Sequence, residues 1–157
     1  AKVCKVHSSE QRLGMSKVVI NDDKSQLNVI KIHDFLTHHS TWAKGISLAT
    51  VATSIEHSIC FGAYLNGEQV GFCRVITDQA TFANLVDVIV WPEHRGKGIS
   101  RLLMAAVLQH PSVQHVRRFT LTTSNAHGLY QKFGFTVLSK PDSFMEIYKP
   151  DIYSQTG

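Results

Sequence analysis

Arg95-Gly96-Lys97-Gly98-Ile99-Ser100 joins an apolar run to an amphipathic one. Before it stands Leu85-Val86-Asp87-Val88-Ile89-Val90, which reads as a strand. After it, Ile99, Leu102, Leu103, Ala106 and Val107 fall at i, i+3, i+4, i+7 and i+8, which predicts a helix. A strand therefore passes through a short glycine turn into a helix. The first backbone N–H groups of a helix have no internal partner, and the macrodipole adds partial positive charge there. Two glycines let that backbone approach a ligand closely, and Arg95 and Lys97 add full charges. Such a turn suits a phosphate or a pyrophosphate.

The spacing excludes two common phosphate turns. A P-loop needs G-x-x-x-x-G-K-S/T, but Ile99 follows Gly98. A dinucleotide fingerprint needs G-x-G-x-x-G, but Arg101 holds the third glycine place. About 20 residues on, where an acid would meet a ribose, stand Arg117-Arg118. On these six residues alone, an ordinary strand-to-helix turn with two glycines remains the alternative.

Working outward, 157 residues is a one-domain length, enough for a single core to bury about two-thirds of the unfolded surface. Hydrophobic residues at 43% and charged residues at 18% are globular values. No apolar run is long enough to span a membrane, and the first residues lack a signal-peptide core. Residues 1–16 are polar and irregular, and fit a tag or leader, with Met15 a candidate natural start. Cys4, Cys60 and Cys73 are odd in number and form no C-x-x-C pair, so reduced thiols in a cytoplasmic protein are expected. The net charge of +4 is modest and its basic residues scattered, which argues against nucleic acid as a partner. The nine histidines show no H-E-x-x-H or Cys/His spacing, and no metal is expected.

The remaining elements follow from period and punctuation. Lys17–Ile20 is a short strand. Leu27–His38 and Ser47–Ser58 are helices, the second capped by Ser47. Ile59–Leu65 and Gln69–Thr77 flank Asn66-Gly67, a two-residue hairpin signal. Phe82–Val90 is the strand before the glycine turn, and Gly98–Gln109 the helix after it, stopped before Pro111. Arg117–Thr123 is a strand, and Ala126–Phe133 a short helix with Gly134 as its C-terminal cap. Phe135–Ser139 and Phe144–Lys149 read as a final strand pair around a Pro141-Asp142 turn. The order β-α-α-β-β-β-α-β-α-β-β, without linker or repeat, predicts one α/β domain over residues 1–157.

The glycine turn resembles R-x-x-G-x-G/A, the acetyl-CoA signature of the GNAT family of N-acetyltransferases. The phrase before it, Val90-Trp91-Pro92-Glu93-His94, is similar to that family's strand end. A second stretch, Asn125-Ala126-His127-Gly128-Leu129-Tyr130-Gln131-Lys132-Phe133-Gly134-Phe135, resembles the family's N-x-x-A-x-x-L-Y-x-x-x-G-F segment with shorter spacing before Leu129-Tyr130. Thr41-Trp42-Ala43-Lys44-Gly45 and the Asn125–Tyr130 phrase look closest to a bacterial subgroup of unassigned acceptor. Ser100 stands where the motif ends in Gly or Ala; it is small enough for close approach, and its hydroxyl can add a phosphate hydrogen bond. The resemblance covers roughly residues 25–150. It implies a central mixed, mostly antiparallel sheet flanked by helices.

The resemblance also implies a chemistry: acetyl transfer from acetyl-CoA to a primary amine of a small molecule or exposed peptide, by direct attack in a ternary complex. Arg95, Gly96, Lys97, Gly98, Ile99 and Ser100 would hold the pyrophosphate. Backbone groups of Val88, Ile89 and Val90 would pair with the pantetheine arm and polarise the thioester carbonyl. Asn125 is a helix cap, or lies near the pantetheine or phosphate arm. Tyr130 lies on the apolar face of its helix with Ala126, Leu129 and Phe133, and would stand beside the CoA sulfur as general acid; a core tyrosine is the alternative. Asp87, the one acid of the central strand, shares a face with Leu85 and Ile89 in the strand's period of two. It fits a direct or water-relayed base, or a structural partner for Arg74 or Lys44. Trp42 and Lys44 lie in a loop bordering the acceptor cleft, and Arg74, Phe82, Phe35, Phe61 and Tyr64 are further lining candidates. Trp42 fits helix packing equally. The alternatives to a small-amine transferase are a protein N-acetyltransferase, or a non-catalytic CoA-binding or nucleic-acid-associated module. A homodimer stays open.

Overall fold

Asn66 and Gly67 both take positive φ, 51° and 81°. That is the turn demanded by a two-residue hairpin whose strands twist right-handedly. The hairpin they make is the centre of a six-stranded sheet in the computed structural model, which describes residues 8–13 and 16–154. The strands are β1 (Ser8–Leu13), β2 (Ser16–Asn21), β3 (Ile59–Leu65), β4 (Glu68–Thr77), β5 (Phe82–Val90) and β6 (Arg118–Leu121), in that spatial order. β1 through β5 pair antiparallel, and β5 pairs parallel with β6. The parallel step needs a crossover, and helix α3 (Ile99–Gln109) supplies it. The other helices are α1 (Val29–His39), α2 (Leu48–Glu56) and α4 (His127–Gln131). Among the described residues no helix is long and apolar enough to cross a membrane.

The chain forms two compact units, one of Ala1–Asn28 with Ser54–Thr122 and one of Val29–Thr53 with Thr123–Gly157. The first holds the sheet and α3. Its core includes Val18, Ile20, Phe72, Val75, Ile89, Leu103 and Met104, all almost wholly buried. The second buries Ile32, Phe35, Leu36, Val51 and Tyr130.

Helix α3 is fixed at both ends. At its start, a Cβ on Gly71 would lie 2.9 Å from Ile99 Cγ2, 3.2 Å from Ala63 Cβ and 3.2 Å from the Ile89 carbonyl. The missing side chain lets the first turn close onto the sheet. At its end, His110 Nε2 lies 2.8 Å from Asp22 Oδ2, and its Nδ1 lies 2.7 Å from Ser112 Oγ and accepts from the Ser112 N–H at 3.2 Å. The Phe61 ring meets the imidazole edge-on at 5.3 Å. Although serine, histidine and aspartate stand in a row, Ser112 is buried and Nδ1 is occupied by a backbone donor. The group staples the end of α3 to the loop after β2.

The structure departs from the sequence reading at three places. Ser8–Leu13, read as irregular, is β1, paired with β2 from Ser8↔Asn21 to Leu13↔Ser16. A polar stretch can take an edge position because the ladder is made by backbone groups. Met15 and Cys4 lie outside the described residues. The final strand pair, Phe135–Ser139 and Phe144–Lys149, is not formed. The segments have strand-like composition, but Val137, Met145 and Ile147 are 84%, 96% and 92% exposed, and propensity without a paired edge makes no strand. The short helix is trimmed to His127–Gln131, although Gly134 caps it as expected.

Gly71→Ala tests the approach of α3. The new methyl has no free space, so the variant is expected to lose about 1–3 kcal/mol of stability by overpacking, read by urea unfolding.

Candidate active site

β5 outruns its parallel neighbour. The last β5–β6 pair is Leu85↔Leu121, and among the described residues no strand pairs with this side of β5 from Val86 to Val90. On its other side β5 carries a bulge. Phe72 pairs with Ile89 and Arg74 with Val86, so Asp87 and Val88 together oppose Cys73. Asp87 takes φ 54°, a left-handed conformation that Asp tolerates better than most residues. The extra residue corrects the face assignment made from regular alternation. Leu85 pairs with Val75 and Ile89 with Phe72; these partners are three residues apart on β4 and so lie on opposite faces. Leu85 and Ile89 do not share a side of the sheet.

Asp87 at the bulge is 8% exposed and accepts from Arg74 Nε at 3.1 Å. Arg74 Nη1 in turn donates to Ser58 Oγ at 2.9 Å. Of the partners weighed for Asp87, the structure gives Arg74. Cys60 pairs with Arg74 in register, and burial pushes its thiol up to about 11 despite Lys24 and Arg74 nearby. Cys73 is pushed up further, by burial first and Cys60 second.

The strand ends in a pinned corner. Trp91 is 7% exposed, and its N–H donates to the Val70 carbonyl at 3.2 Å. The turn Pro92–His94 follows, and Arg95 Nε folds back to donate to the Val90 carbonyl at 3.1 Å. Gly96 and Gly98 have φ 77° and 78°, and Gly98 is the N-cap residue of α3. A Cβ at either glycine would meet nothing within 4 Å. Glycine is therefore needed for the backbone conformation, and the space in front of the turn is open. The helix leaves the N–H groups of Ile99, Ser100 and Arg101 without intrahelical partners. Ile99 is buried, whereas Arg95 and Lys97 are exposed. Beside the turn, Glu68, Glu93 and His94 bring one donor atom each within 4.8 Å of one another; the carboxylates are exposed, and His94 Nε2 stands 4.0 Å from Glu68.

Tyr130 is held by the way α4 stops. Phe135 N–H donates to the Tyr130 carbonyl at 3.2 Å, Gly134 N–H to Gln131 at 3.1 Å, and Gly134 takes φ 95°. This is a Schellman end, and its hydrophobic contact is the edge-on meeting of Tyr130 and Phe135 at 6.1 Å. Tyr130 itself is 8% exposed. Asn125 does not cap the helix: the N-cap residue is Ala126, whose N–H donates to Thr123 Oγ1 at 3.0 Å. Thr123 lies three residues back and reaches that donor, whereas Asn125 is exposed.

The loop candidates separate. Trp42 is half exposed, its ring 6.4 Å from Phe35. Lys44 is exposed. Gly45, at φ 86°, leaves room for Tyr153, whose carbonyl oxygen would stand 2.7 Å from a Cβ there. That contact was invisible in the sequence because it joins positions more than a hundred residues apart. Phe82 opens β5 at the end away from the glycine turn, about 26 Å along the strand from Val90. Phe61 packs on His110, and Tyr64 is buried with its hydroxyl unpartnered and pushed up to about 12 by burial.

A family profile described as an acetyltransferase (GNAT) domain matches residues 56–137, which include the bulged strand, the glycine turn and α4. A Gibberella zeae protein named as an acetyltransferase is 31% identical over 136 residues, covering 73% of this chain and 76% of its own. Streptothricin acetyltransferase of Escherichia coli is 29% identical over 66% of this chain and 62% of its own length. A solved GNAT-family structure from Xanthomonas campestris is 52% identical, with a TM-score of 0.87 over 90% of this chain and 99% of that one. The chain belongs to the GNAT family of N-acetyltransferases.

Proposed function

We propose that the chain acts as one catalytic domain that transfers an acetyl group from acetyl-CoA to a primary amine of a small molecule or exposed peptide. The amine nitrogen attacks the thioester carbonyl directly while both substrates are bound. The observation that carries this reading is the union of an unpaired strand edge, Val86–Val90, with an open glycine turn at the start of α3. The residues fit such a co-substrate. Gly96 and Gly98 leave no side chain in front of the helix N-terminus, Ser100 adds a hydroxyl, and Arg95 and Lys97 add charge, which suits a pyrophosphate. Along Val88, Ile89 and Val90, backbone groups free of a neighbouring strand suit the amides of the pantetheine arm, and an N–H there polarises the thioester carbonyl. Trp42 and Lys44 are the residues proposed to meet the acceptor. Such a reaction belongs in a reducing cytoplasm, where Cys60 and Cys73 remain thiols.

Tyr130 is the proposed general acid for the departing thiolate. Its fixed ring and low exposure support the assignment. Asp87 is proposed to act on catalysis through the bulge, where the carboxylate engaged by Arg74 holds the strand in the shape that exposes its edge.

Two variants test the reading. Gly98→Asp sets a carboxylate before the phosphates and is expected to abolish acetyl-CoA binding by calorimetry while circular dichroism stays native. Parent-like affinity would remove the turn from the cofactor site. Tyr130→Phe keeps the ring contact with Phe135 and removes the donor. It is expected to lower kcat about 100-fold with little change in the Kd for acetyl-CoA. An unchanged kcat would leave Tyr130 a packing residue.

A further inference from the structure

The guanidinium of Arg74 is only partly used. Its side chain is 12% exposed, Nε is engaged by Asp87 at 3.1 Å and Nη1 by Ser58 at 2.9 Å. A guanidinium carries five N–H donors and no acceptor. Among the described residues, Nη2 and the second N–H of Nη1 meet no protein acceptor, and they are not among the buried polar atoms sealed from solvent without a partner. Two contacts thus fix the plane of the group, and three N–H donors are left over, two of them on Nη2. These donors stay open to solvent, so an incoming acceptor can reach them.

The position gives this edge a purpose. Arg74 stands across the ladder from Val86, the first β5 residue beyond the last β5–β6 pair, and its partner Asp87 is the bulge itself. Arg74 therefore stands one strand over from where the edge of β5 opens. What they receive must be an acceptor, so an ammonium is excluded. Asp87 Oδ2, already engaged by Arg74, is no free acid for drawing in a cation either. A planar carboxylate matches two parallel N–H donors best.

We propose that Arg74 binds a carboxylate of the acetyl acceptor, so that the acceptor is an aminocarboxylate, a free amino acid or close analogue, rather than a simple alkylamine. The proposal rests on the amine-acetylating reading above. Ser58 and Asp87 act as positioning residues for the fork.

The test pairs turnover with direct binding. Steady-state rates with saturating acetyl-CoA are measured for a panel of α-, β- and γ-amino acids and for the matching amides, with the parent and with Arg74→Lys, which keeps the charge and loses the fork. In parallel, the Arg74 guanidinium resonance is followed by nitrogen-15 NMR while the same amino acids and amides are titrated into the parent. The expected result is a parent kcat/KM at least about tenfold higher for the carboxylate member of a pair. In Arg74→Lys that preference is expected to collapse through KM rather than kcat. Amino acids should shift the resonance saturably, and amides should not. Equal use of acids and amides by the parent, or no saturable shift, overturns the carboxylate site while leaving amine acetylation standing. A saturable shift with no turnover of any amine overturns the proposed function and leaves an anion site at Arg74. Should Arg74→Lys fail to fold, the parent's preference and its NMR titration decide.

Discussion

Arg74 and Asp87 meet where β5 carries one residue more than β4 can match. A carboxylate buried there without a cation would be costly, and so would a guanidinium without an acid. Each makes the other's position tenable, and together they hold Asp87 in a left-handed conformation that a regular strand would not adopt. From that one extra residue the phase of β5 changes. The strand leaves β6 after Leu85 and runs on, unpaired on that side, toward the pinned Trp91 corner. The glycine turn inherits its position from this path. Backbone edge and helix terminus, the two features on which the proposed acetyl-CoA site rests, are thus consequences of the same local defect in the sheet.

The helix after the turn has to stay where the strand delivers it. Gly71 allows Ile99 to seat against the sheet, and the His110 staple ties the far end to Asp22. A terminus fixed at both ends presents its N–H groups in a set orientation before any anion arrives, which is the condition under which such donors act at little reorganisation cost.

Much of this was legible in residues close together in the chain. The boundaries of β5 and the stop of α3 before Pro111 follow from period and punctuation, as do the Asn66-Gly67 turn, the Gly134 cap and the role of Ser47, whose Oγ accepts from the Thr50 N–H at 3.1 Å. What escaped was set by partners far along the chain. Alternation placed Asp87 on a regular strand, because a bulge is a property of two strands and only one was being read. It offered Arg74 or Lys44 as partner and could not choose. The polar Ser8–Leu13 gave no period, since an edge strand needs only a neighbour's backbone. The opposite error befell Phe144–Lys149, where β-prone residues were present and the neighbouring strand was not. Capping was one of the two readings of Asn125, and the oxygen that reaches the Ala126 N–H is instead that of Thr123.

Burial of Cys60 and Cys73 has a consequence for the protein's durability. The proposed reaction releases a free thiol at every turnover, and that thiol's oxidised forms come with it. Exchange with a disulfide proceeds through the thiolate. With Cys60 pushed up to about 11 by burial, its thiolate is scarce at neutral pH. Cys73 is pushed up further, and both residues are buried in the sheet. Both thiols should therefore resist capture as mixed disulfides with spent co-substrate until the sheet itself opens, which makes their modification a report on unfolding rather than on catalysis.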